Sequence, residues 1–74
     1  AMVEVWDVWA AAVGGQIAAH AHPAAFKGGM LLVYISNSTW LHHMRFMEKE
    51  LIRKLNQALG DQRVKAIAFK IGPV

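Results

Sequence analysis

Four residues of this chain, Arg45, Phe46, Lys49 and Arg53, recur at a spacing that can hold a polyanion. At 100° per residue they share about a third of a helix's circumference with His42 and Gln57. Three cations so placed can track phosphates, and a ring among them can stack on an unpaired base. That combination suits single-stranded DNA. The ordinary alternative is a solvated face on which Glu48 and Glu50 serve as surface ion partners. Arg63, Lys65 and Lys70 extend the basic surface if the last strand borders this helix. Phe46 has its own alternative, burial under the N-terminal helix or a second copy of the chain.

Other chemistry is thinner. His20 and His22 point to one side of a strand, while His42 and His43 diverge by 100° at a helix start, so no third zinc ligand converges and no metal site is expected. His20 reads instead as a hydrogen-bonding residue that fixes the chain entering the first strand. There is no cysteine nucleophile, no Gly-x-Ser-x-Gly and no phosphate-binding loop. Glu4, Asp7, Glu48, Glu50 and Asp61 fall on helix ends or exposed faces, leaving no buried carboxylate pair to perturb a pKa. Neither an enzyme nor a cofactor is expected.

Size sets the frame. Seventy-four residues make one domain, 1–74, that buries only roughly 60% of its unfolded surface. Without cysteine the fold relies on burial, for which 55% hydrophobic residues and three tryptophans give material. The absence of thiols is compatible with a reducing cytoplasm. No apolar run nears the ~20 residues that cross a bilayer, and no signal peptide is visible, so no membrane role is expected. Ala1 ahead of Met2 reads as a vector-derived residue before an initiator. The net charge of +3 favours a polyanionic partner, though weakly.

The elements that position the basic row follow from periodicity. Met2, Val5, Trp6, Trp9 and Val13 predict a helix over 3–13 with Glu4 and Asp7 at its positive end. Gly14-Gly15 breaks it, and residues 16–19 make one more turn. Residues 21–26 form a short strand, where Pro23 demands an edge or a bulge. Lys27-Gly28-Gly29 turns into a second strand, 30–36. Ser36-Asn37-Ser38 supplies capping oxygens for one long helix, 39–59, closed by Gly60. Its core stripe is Trp40, Met44, Met47, Leu51, Leu55 and Ala58, and Glu50–Lys54 is an i,i+4 ion pair. All three tryptophans read as core, with Trp40 against the first helix. Residues 63–71 alternate as a third strand. The order α-β-β-α-β predicts a two-layer α+β domain, a three-stranded sheet with helices on one face. The other face carries Leu32, Tyr34, Ala66 and Ala68, or their neighbours, as an open contact surface.

Taken in order, these residues carry a resemblance. Trp9, Val13-Gly14, Ile17-Ala18 and His20-x-x-Pro23 are followed by Gly29-x-Leu31-x-Val33-x-Ile35 and Ser38-x-Trp40. Leu51, Leu55-Asn56, Gly60 and Val64-x-x-Ile67-x-Phe69 continue the pattern over nearly the whole chain. The chain resembles the DciA family, formerly a bacterial domain of unknown function and understood as operator or loader of the replicative helicase DnaB. The resemblance implies a KH-like (K-homology-like) domain in the bacterial cytoplasm, binding of single-stranded or forked DNA, and helicase contact aided by a C-terminal tail. It brings no catalytic residues. The sequence ends at Val74 where such a tail would begin, so the native tail is expected to lie outside it. No Gly-x-x-Gly joins two helices, which leaves the usual KH backbone clamp unsupported. Three alternatives stay open: an acidic protein docking on the sheet face or the basic helix, RNA on the same basic surface, and a homodimer.

Overall fold

The computed structural model describes residues 3–74. Ala1 and Met2, the vector-derived residue and the first member of the helical stripe expected above, lie outside the described residues. Helix α1 (Val5–Val13) buries Val5, Trp9 and Val13. The Asp7 carboxylate accepts from the Glu4 N–H at 3.0 Å and ties down its start. Gly14, at φ +94°, redirects the chain into the single turn α2 (Gly15–Ala18).

Strands β1 (Ala21–Lys27) and β2 (Met30–Ile35) form the expected hairpin. Gly28 and Gly29 both take positive φ at its turn. The register slips between Pro23 and Ala25, so Pro23 sits on an edge strand beside a bulge, the two places its missing N–H tolerates. Strand β3 (Ala66–Ile71) is shorter than the expected 63–71 and pairs in parallel with β2, giving the order β1-β2-β3. A parallel partner requires a crossover, and two helices provide it.

Those two helices correct the single helix expected over 39–59. Helix α3 (Ser38–Phe46) ends at Met47, whose φ of −99° and ψ of 5° leave the helical region, and α4 (Glu48–Leu59) begins after it. No proline or glycine marks the break. Packing imposes it: α3 lies on β2 and β3, whereas α4 turns onto α1 as well as β3. The Asn37 side chain caps α3 by accepting from the Trp40 N–H at 3.0 Å. Gly60, in the left-handed region at φ +73°, closes α4.

The core lies between sheet and helices: Leu31, Val33 and Ile35 from β2 meet Trp9, Met44, Leu51 and Leu55. This is the two-layer α+β architecture the periodicity implies, and it is consistent with a KH-like fold. The opposite sheet face carries Leu32, Tyr34, Ala66 and Ala68, all half-buried and outside the helical layer. Three stripe assignments are corrected. Ala58 is exposed, Trp6 is 47% exposed on the outer side of α1, and Trp40 is half-buried against His20 rather than α1.

Candidate nucleic-acid interface

The site is built at the α3–α4 break. His42 and Phe46, one helical turn apart, meet edge to face with centroids 5.2 Å apart. With Arg45 they line an open depression of about 290 Å³. Phe46 is 80% exposed, so among the described residues neither the N-terminal helix nor any other element covers it. Lys49 follows in the first turn of α4, also exposed. Because Met47 interrupts the helix, Arg45 and Phe46 end one helix and Lys49 begins the next, so the basic positions do not form one continuous row.

Arg53 has a different environment. Its guanidinium donates to Glu50, forming the one ion pair among the described residues. That replaces the Glu50–Lys54 pair expected from spacing. The Arg53 hydrogen bond and then its charge hold the Glu50 carboxyl below the usual carboxylate range. Glu48 does not serve as a surface ion partner either. Its carboxylate turns inward and accepts from the outward-facing Ile67 N–H of β3 at 3.1 Å, shielding an edge strand.

Electrostatics therefore concentrate on Arg45 and Lys49. The first turn of α4 already holds Glu48 and Glu50, which offset the positive end of its dipole. An anion at this corner would meet side-chain cations more than backbone N–H groups, in keeping with the missing Gly-x-x-Gly. Lys65 lies apart from the corner, packed over Gly29 beside the hairpin, where a Cβ on residue 29 would come within 2.6 Å of its Cγ. Lys70 lies elsewhere again: it pairs with Tyr34 in the sheet register, on the face away from α3 and α4. The residues Arg45, Phe46 and Lys49 are thus neighbours along the break, while Lys65 and Lys70 are not part of that corner.

The histidines have other partners. His20 Nδ1 shares a hydrogen bond with the Ser36 hydroxyl at 3.1 Å, bridging the entry to β1 and the exit of β2. Its ring stacks on Trp40 at 4.5 Å and 15°, and His43 meets the same indole edge-on at 5.6 Å. Among the described residues no three His, Asp or Glu side chains come together to hold a metal ion. No helix there is long and apolar enough to cross a membrane. Sequence reasoning missed the inward role of Glu48, whose signal, a carboxylate at a helix start near an edge strand, needs the tertiary fold to become visible.

The family model described as Dna[CI] antecedent, DciA, matches residues 1–69. A UPF0232 protein of Mycobacterium tuberculosis is 37% identical over 59 residues, covering 80% of this chain and 32% of that protein. One from Mycobacterium leprae is 36% identical over 63 residues, 85% of this chain and 33% of the relative. One from Mycolicibacterium smegmatis is 35% identical over 65 residues, 88% and 33% respectively. The chain spans about a third of the length of these curated relatives. With the match running through α1, the hairpin, both crossover helices and into β3, the chain belongs to the DciA family.

Proposed function

We propose that this chain is the non-catalytic DNA-binding module of a DciA-type operator or loader of the replicative helicase, acting in bacterial DNA replication in the cytoplasm. The observation that carries the reading is the α3–α4 break: Phe46, 80% exposed, follows Arg45 and precedes Lys49 in the chain, and among the described residues neither cation is ion-paired. An exposed ring beside two free cations matches a strand whose bases stack and whose phosphates are neutralised. Arg53 adds charge at the cost of its contact with Glu50, and Lys65 and Lys70 extend the basic surface around the body. Single-stranded or forked DNA is the ligand, and the helicase DnaB is the partner of the longer protein, as family membership supports. Binding of a labelled single strand across a salt series tests the reading. Each phosphate contact contributes a slope of about −0.7 in log affinity against log salt. A wild-type chain without such a slope contradicts DNA as the ligand.

A second reading, a protein-contact face, is favoured by exposed Val3, just before α1, and exposed Trp6, on its outer side. Val3 also lines a depression of about 290 Å³ with Leu59, Gly60, Asp61 and Arg63. An apolar partner surface docking there would leave the α3–α4 corner free, so the two surfaces are separable by mutation.

A further inference from the structure

The sheet has a second face that no element among the described residues covers, and its composition is uniform in sign. The strand register sets His22, Tyr34 and Lys70 side by side across β1, β2 and β3. Toward the hairpin the next row is apolar, with Leu32 and Ala68 at its centre, and Lys27 marks the far corner. Lys27, Lys70 and His22 are exposed and Tyr34 is half-buried. Every carboxylate side chain among the described residues lies elsewhere, at the start of α1, in the first turn of α4 or just after α4. A flat, partly apolar surface with cations at opposite corners and no anion repels nothing that carries phosphate.

Tyr34 is placed to do more than fill space. A Cβ built on Gly72 would fall 2.9 Å from both its Cγ and Cδ1 and 3.3 Å from Cδ2. The backbone at residue 72 therefore approaches the flat side of the ring, and only glycine permits that approach. The ring is held by this contact beside Lys70. Strand spacing of ~4.8 Å and a rise of ~3.3 Å per residue put the Lys27 and Lys70 backbones about 16 Å apart along the diagonal. A single strand laid along that diagonal would meet an ammonium at each end and the phenol ring near one of them.

We propose that this open sheet face is a second binding surface for single-stranded DNA, with Lys27 and Lys70 on phosphates and Tyr34 stacking on a base. The inference rests on the nucleic-acid reading above and adds a surface on the far side of the sheet from the α3–α4 corner. A duplex keeps its bases inside the stack and has none to offer Tyr34, so the surface selects unpaired DNA. Two faces on opposite sides of one small domain would let a strand wrap its edge or let the domain hold two strands.

The test is an amide-resolved NMR titration of the chain with a short oligodeoxythymidylate at low salt, repeated on three variants. Shifts at His22, Tyr34, Ala68 and Lys70 are expected. Lys27→Glu with Lys70→Glu, both exposed positions, should weaken binding about tenfold and flatten the salt slope by about 1.4, two contacts' worth. Tyr34→Leu, which keeps apolar bulk, should cost at least about fivefold. Arg45→Glu with Lys49→Glu should leave the sheet shifts in place. Shifts confined to residues 42–53, unchanged by the Lys27/Lys70 variant, would overturn the sheet surface and leave the corner reading standing. Shifts confined to the sheet would do the reverse. No shifts at low salt would end both. Polyglutamate reproducing the sheet shifts, or oligouridylate binding more tightly than the DNA, would overturn single-stranded DNA as the occupant.

Discussion

Asn56 holds both backbone groups of Val64: its Nδ2 donates to the Val64 carbonyl at 2.9 Å and its Oδ1 accepts from the Val64 N–H at 2.8 Å. The amide stands where a strand neighbour would, pinning the approach to β3 against α4. Asn56 is 4% exposed, so water does not replace it.

Replacing Asn56 with alanine leaves two buried backbone groups without partners. At about 1–3 kcal/mol for each, the variant should lose roughly 2–6 kcal/mol in urea denaturation. That is a large share of what a domain this small commands. Asn56→Leu fills the space and should fare no better, because the backbone groups stay unpaired. A loss within about 0.5 kcal/mol, the range of ordinary surface changes, would contradict the clamp.

Glu48 makes a related prediction at the other end of α4. Its carboxylate covers the Ile67 N–H on the outer edge of β3. Glu48→Ala should speed hydrogen exchange at Ile67 and cost about 1 kcal/mol, whereas Glu48→Gln keeps an acceptor and should lose less. Unaltered exchange at Ile67 in the alanine variant would show that the edge is protected by something else.

The Arg53–Glu50 pair predicts a titration. Arg53, by hydrogen bond and then by charge, lowers the Glu50 pKa. A depressed carboxylate pKa contributes stability that is present above the unfolded value and is lost as pH falls through the folded one. Arg53→Ala should move the Glu50 carboxyl resonance midpoint back up toward the usual carboxylate range. The pair is solvent-exposed, so thermal stability at neutral pH should hardly change. A midpoint that stays low after the substitution would assign the shift to another group.

Gly72 and Tyr34 predict a local displacement. A methyl at residue 72 would sit 2.9 Å from the Tyr34 ring, so Gly72→Ala should shift the Tyr34 ring resonances. Forcing the ring aside should cost about 1 kcal/mol. Unchanged ring resonances would contradict the contact.

Much of the fold was legible because local chemistry and packing agree. The run Met30 to Ile35 could only be a buried strand, Asn37 stood ready as a cap, and Gly60 closes its helix in the left-handed conformation that glycine favours. The break at Met47 was not legible: Met44 to Lys49 contains only residues a helix accepts, and the bend arises from α4 packing on α1. Trp6 misled for the opposite reason, since helical spacing admits it to the stripe while no described element packs over that side of α1. The basic row was legible as spacing but not as pairing. Glu50 reaches Arg53 at i+3 and Lys54 at i+4 equally well, and only the fold chooses. The row His22–Tyr34–Lys70 depends on the bulge after Pro23, where a one-residue slip would send His22 to the other face.

DNA binding at the α3–α4 corner is decided by fluorescence anisotropy of a labelled single strand against this chain and its Arg45→Glu/Lys49→Glu variant across a salt series. Both positions are exposed, so the variant should fold as the wild type does. Salt-sensitive binding by the wild type and about a tenfold weaker, flatter response from the variant are expected. Equal affinity in the two proteins would contradict binding at that corner.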